Sequence, residues 1–104
     1  MPRVQTRLPV RCLPVFFITF APAAHAESGM ASFYEGTGGH GAMTCAHKTR
    51  AMGSMITVTY QGRSIRCRVT DRGPFVKGRV IDVSTSAARE LGMVEAGVVR
   101  VSLE

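Results

Sequence analysis

Tryptophan is absent from this 104-residue chain, which holds only two Tyr and five Phe. A large aromatic core is therefore excluded, and a flat aromatic surface of the kind that stacks on sugars is weakly supplied. No apolar stretch approaches the ~20 residues that a membrane-spanning helix needs. There is no run of Lys or Arg interleaved with aromatics, so a nucleic-acid role loses its main support. There is no Cys-x-x-Cys pair, and His40 and His47 stand at no standard zinc-site spacing. Neither a metal nor an organic cofactor is implied. At 104 residues the chain is one small domain at most, too short for a Rossmann or TIM-barrel scaffold. Hydrophobic residues make up 45% and charged residues 19%, a balance that excludes disorder of the whole chain.

What is present begins with a leader. Arg3, Arg7 and Arg11 form a basic segment, and residues 13–24 (LPVFFITFAPAA) form an apolar one. Ala24-His25-Ala26 then places small residues at the two positions a signal peptidase reads. A secretory signal peptide over residues 1–26 is expected, followed by a mature domain over residues 27–104. Pro14 and Pro22 would interrupt a buried N-terminal helix in the same place. Cys12 precedes the apolar stretch, the wrong position for a lipid-modified cysteine. The mature protein is thus expected to be exported and soluble, periplasmic or secreted. Removing 26 of the 104 residues leaves 78, with ten basic and seven acidic side chains and a charge near +3. Much of the formal +6 belongs to the leader. The remainder suits an anionic wall or envelope partner, and equally an ordinary solubility charge.

Two cysteines, Cys45 and Cys67, survive cleavage. An even number in an exported small domain reads as one disulfide. Closing a loop of about 22 residues stabilises by roughly 3 kcal/mol on the chain-entropy model. A domain this small needs such help.

The mature chain reads as mostly strand. Residues 29–34 are short and apolar, and residues 36–41 are glycine-dense. Residues 55–60 alternate, with Ile56, Val58 and Tyr60 on one face. Gln61-Gly62-Arg63 makes a turn, and residues 64–71 alternate again, with Ile65, Cys67 and Val69 inward. Gly73-Pro74 ends that pattern. Residues 80–84 form another strand. Ser84 caps a helix over residues 85–91 with Gly92 as its stop, and residues 98–103 close the chain. Five or six short strands and one helix in this length suggest a small closed barrel.

Asp71 stands out on position alone. Strict alternation places it in phase with Ile65, Cys67 and Val69, facing the interior at a strand end. A carboxylate there is either a site or a structural acceptor for turn amides. His47 follows Cys45 by two residues, so a Cys45–Cys67 bridge would bring it near the strand that ends at Asp71. A His47–Asp71 side-chain contact is one expectation, and a packing role for the ring is the other. His40, in the glycine loop, is expected to face solvent.

At these residues a resemblance enters. The run from Val69 through Thr70-Asp71-Arg72-Gly73-Pro74-Phe75 to Ile81-Asp82-Val83-Ser84 resembles the signature of the rare lipoprotein A family. These are septal-ring lytic transglycosylases built on a double-psi β-barrel. Ala87-Ala88-Arg89-Glu90-Leu91-Gly92 continues the likeness downstream. Ala31-Ser32-Phe33-Tyr34 and Cys45-Ala46-His47-Lys48-Thr49 continue it upstream, so nearly all of the mature chain is covered. The resemblance implies a mainly β fold, a small six-stranded double-psi β-barrel with one short helix. It implies cleavage of peptidoglycan glycan strands with formation of a 1,6-anhydro-muramyl end. Asp71 would be the general acid/base, and His47 would position the sugar or stabilise charge. Tyr34 and Arg72 would be candidate substrate contacts, with a structural role open to each. Asp82, Gly73 and Gly78 would be structural, Asp82 accepting amides of the following loop or pairing with an Arg. Envelope or division proteins stand as candidate partners.

One departure matters. The family usually carries a Gly-Glu pair between its first strand and the His, and supplies an active-site Glu from it. Here only Glu35 remains in that segment, directly after Tyr34 and 12 residues before His47. Glu35 is a candidate substitute acid or a solvated turn residue. The leading expectation is therefore a lytic transglycosylase. The alternatives are a non-catalytic glycan-binding barrel of the expansin or barwin sort and a protein-interaction module at the envelope.

Overall fold

The computed structural model describes residues 26–36 and 38–104. The expected leader lies outside the described residues except for Ala26. Six strands and one helix follow in order: β1 (Glu27–Tyr34), β2 (Thr44–Ala46), β3 (Met55–Tyr60), β4 (Arg63–Asp71), β5 (Arg79–Ser84), α1 (Thr85–Leu91) and β6 (Val99–Leu103). The strands close into a barrel in the order β1-β5-β2-β4-β3-β6. β1 runs parallel to β5 and β2 parallel to β4, while the remaining neighbours are antiparallel. This is the mainly β, six-stranded double-psi barrel with one short helix.

Period-two alternation builds the core. Ile56 and Val58 of β3, Ile65, Cys67 and Val69 of β4, Ile81 and Val83 of β5, and Val99, Val101 and Leu103 of β6 all turn inward. β3 and β4 pair from Met55↔Arg68 to Tyr60↔Arg63, so Gln61-Gly62 is a two-residue hairpin loop. Both loop residues have positive φ, 48° and 84°, the type I′ geometry that matches strand twist. Two departures from the sequence reading exceed a single residue. β1 starts two residues earlier, at Glu27, because residues 27–31 pair with β6. β2 was not expected as a strand. Its three residues are too few to show a period, yet all three are buried between β4 and β5. The Cys45–Cys67 disulfide ties this short strand to β4, with Cα atoms 5.8 Å apart.

Helix α1 covers one end of the barrel with Ala87, Ala88 and Leu91. Ser84 does more than cap it. Its Oγ accepts from the Ala87 and Thr44 amides and donates to the Ala42 carbonyl, so one hydroxyl joins helix, β2 and glycine loop. Ser84→Ala is expected to lower stability by about 1–2 kcal/mol, a fall of roughly 4–16 °C in a thermal melt. A change under ~2 °C would show that the hydroxyl holds nothing together. After β4, the loop over residues 72–78 leaves Phe75 and Val76 exposed. Gly73 and Gly78 in that loop have φ of 121° and 87°, which a side chain rarely tolerates, so both are backbone-shape positions. Among the described residues, no helix is long and apolar enough to cross a membrane.

Candidate active site

The placement of Asp71 rests on an irregularity. On β4, Val69 lies opposite Cys45 and Asp71 lies opposite Ala46, so Thr70 is an extra residue in the ladder. Such a bulge reverses the phase of the side chains that follow it. Strict alternation would point Asp71 into the core; the bulge corrects that expectation and turns it outward. Ala46 in turn pairs with Asp82, and Asp82 with Ser32. Laterally paired residues share a face of a sheet. Asp71, Ala46, Asp82 and Ser32 therefore form one row across β4, β2, β5 and β1. Asp82 alternates with Ile81 and Val83, which are fully buried, so the row lies on the outside of the barrel. The two aspartates flank the small Ala46 at two strand spacings, roughly 9–10 Å between backbones.

Tyr34 stands two residues beyond Ser32 on the same face. Its Oη donates to Asp71 Oδ2 at 2.8 Å. Partial burial, then the hydrogen bond to Asp71, then the negative charges of Asp71 and Asp82 push the phenol up to about 12 from 10.0. Tyr34 thus keeps its phenol proton at any ordinary pH and serves Asp71 as a donor, not as a base. A pKa raised on folding is a stability that is intact below pH 10 and is lost as pH rises through about 12. Thermal melts between those values should show a decline in the wild type that is shallower in Tyr34→Phe. Equal slopes in the two proteins would remove the interaction from the account.

Asp82 is held differently from expectation. The Ser32 hydroxyl donates to Asp82 Oδ1, and Arg79 Nη1 donates to Ser32 Oγ at 3.1 Å. A serine on the neighbouring strand, not the loop amides, satisfies this carboxylate, and Arg79 reaches it through that serine.

The backbone of His47 does lie beside Asp71, its amide donating to the Asp71 carbonyl at 3.1 Å. The expected His47–Asp71 side-chain pair is not formed. The ring turns away, with Nε2 2.8 Å from Glu27 Oε1 and Nδ1 accepting from the Thr49 and Arg50 amides at 3.1 and 3.0 Å. Only 3% of His47 is exposed. Sequence reasoning passed over Glu27. The signal that could have found it is the lengthened first strand, since Glu27 opens β1 opposite Leu103. Arg72 Nη1 donates to the His47 and Arg50 carbonyls at 3.1 and 2.6 Å, which anchors the turn over residues 47–50. Glu35 directly follows the last residue of β1. It lines a cavity of about 150 Å³ together with His40, Ser86 and Arg89, and neither Tyr34 nor Asp71 contributes to that lining. His40 is exposed. Among the described residues, no group of three or more His, Cys, Asp or Glu could hold a metal ion.

A closed six-stranded barrel with two parallel pairs and an outward acidic row defines the class, a small double-psi β-barrel with a polar surface site. Residues 26–103 match the family described as Lytic transglycolase, and the chain belongs to that family. It is 40% identical over 95 residues to the endolytic peptidoglycan transglycosylase RlpA of Pasteurella multocida, covering 79% of this chain and 32% of that protein. With the RlpA of Vibrio cholerae it shares 42% over 97 residues, 80% of this chain and 36% of that protein. With a probable RlpA of Nostoc sp. it shares 52% over 65 residues, 61% of this chain and 18% of that protein. The chain thus spans about a third or less of the length of these relatives. Among solved structures, a Clavibacter michiganensis expansin superposes with a TM-score of 0.63 at 23% identity, covering 76% of this chain and 49% of that one. The Streptomyces papain inhibitor superposes with 0.61 at 22% identity, covering 76% of this chain and 92% of that one. These two likenesses are of fold.

Proposed function

We propose that this domain cleaves peptidoglycan glycan strands as a lytic transglycosylase, with Asp71 as the general acid/base. The observation that carries the reading is the outward Asp71 carboxylate, fixed at Oδ2 by the Tyr34 hydroxyl. Family membership and the names of the relatives support the substrate class. Protonated Asp71 delivers its proton to the glycosidic oxygen as the C1–O bond breaks. The muramyl C6 hydroxyl then attacks C1, and its proton returns to Asp71, so one carboxyl group serves both halves of the reaction. No water is activated, so a pair of carboxylates at hydrolase spacing is not required. Tyr34 orients the carboxylate and leaves Oδ1 toward the glycan. Asp82, in the same row, places a second negative group where cationic character develops on the sugar ring. Arg72 serves the loop by anchoring residues 47–50. The expected route is export and action in the envelope.

A second reading, glycan binding without cleavage, is favoured by the position of Glu35. This remaining candidate for a substitute acid opens on a separate cavity. One experiment decides between them. Mature, oxidised protein is incubated with peptidoglycan and with peptide-free glycan strands, and products are analysed by mass spectrometry. Anhydro-muramyl ends support the enzyme. Sedimentation with glycan and no new ends supports the binding barrel, and neither result sends the search to a protein partner.

A further inference from the structure

We infer that His47 is a positioning residue, held by Glu27 and acting on Asp71 through the 47–50 turn and Arg72, and that it does not touch glycan. The inference rests on the proposed reaction for its functional consequence. Its structural basis stands on seven contacts. The ring is buried and both nitrogens are engaged. An Nδ1 that accepts from the Thr49 and Arg50 amides carries no proton, so the ring proton sits on Nε2 and is donated to Glu27. Glu27 Oε1 also lies 3.5 Å from Arg50 Nη2, so one carboxylate holds the ring and the turn together. The turn then grips the end of β4 from two sides. The His47 amide donates to the Asp71 carbonyl, and Arg72 Nη1 bridges the His47 and Arg50 carbonyls. The contacts run without a gap from the first residue of β1 to the peptide that joins Asp71 to Arg72. A shift of the turn would move the carboxylate relative to the bound sugar, and small displacements at a reacting centre have large kinetic effects.

Two substitutions separate this role from direct contact. His47→Asn places an acceptor oxygen where Nδ1 stands, with nothing directed at Glu27. His47→Gln directs a donor toward Glu27 and leaves the Thr49 and Arg50 amides without their acceptor. Positioning through the turn predicts that kcat on peptide-free glycan strands is about ten-fold or more higher for His47→Asn than for His47→Gln, with KM for both near the wild-type value. Glu27→Ala, at the more exposed end of the chain of contacts, should lower kcat about three- to ten-fold at constant KM. It keeps the test open if the His47 variants fold poorly. Equal losses in the two His47 variants, or a rise in KM, would overturn the inference in favour of a ring that contacts substrate. Imidazole 15N spectra supply a readout independent of activity: the wild type should show the Nε2-protonated tautomer, and the opposite tautomer defeats the proposal. The Asp71 carboxyl carbon resonance should move in His47→Gln and stay in place in His47→Asn. If the wild type releases no anhydro ends, the proposed reaction fails while these resonances still decide the positioning role.

Discussion

Asp71→Asn is expected to lower the release of anhydro-muramyl ends by about 10²- to 10⁴-fold, the range set by losing a positioned general acid/base. The substitution is close to isosteric. An amide oxygen can still accept from the Tyr34 hydroxyl, so the geometry of the site survives while the proton-transfer group is gone. The bond from Tyr34 changes from a charged to a neutral acceptor, which costs about 1 kcal/mol at a partly exposed site. Thermal stability should therefore fall by roughly 4–8 °C. Product analysis on purified strands, with a melt of the same samples, measures both effects. A variant that is well folded and retains more than about a tenth of the activity would place the acid/base elsewhere. Asp82 would then be the next group to change, because it shares the row.

The second large effect concerns the cross-link. A Cys45→Ala/Cys67→Ala variant is expected to lose about 3 kcal/mol from loop closure over 22 residues. For a domain of this size that is a fall of roughly 12–24 °C in the melting temperature. Both cysteines are fully buried, so the missing sulfur atoms add a packing loss in the same direction. The consequence reaches the site, because β2 has only three residues and carries Ala46 between the two aspartates. Activity should therefore decline at temperatures below the melt. A melting temperature within about 5 °C of the wild type would show that pairing with β4 and β5 alone holds β2 in place.

Much of the barrel is legible in residue order. The alternating pattern over β3, β4 and β6, the Gln61-Gly62 turn and the Ser84-to-Gly92 helix are local features with local causes. The cysteine parity called for the disulfide. The run around Asp71 carried the family, and the family matches nearly the whole described chain. β2 was not legible, because three buried residues carry no period, and burial there comes from neighbours far apart in sequence. The loop residues Gly73 and Gly78 were legible as shape positions, since positive φ has a strong residue preference.

The site divides along the same line. Sequence alone determined which side chains could carry chemistry, Asp71 and His47 first among them, because residue type and flanking motif are one-dimensional information. Tertiary structure decided what each of them faces. The Thr70 bulge reverses the side chain of Asp71 from core to surface, and nothing in an alternating string announces an extra residue in a ladder. The partner of His47 is Glu27, twenty residues earlier, and not Asp71, whose backbone it adjoins. That choice follows from the start of β1 pairing with the end of β6, where Arg50 donates to the Glu104 carbonyl and the Glu27 carboxylate meets a ring whose other nitrogen already holds the turn. Side-chain partners across strands depend on register, and register is settled only when all six strands pair at once.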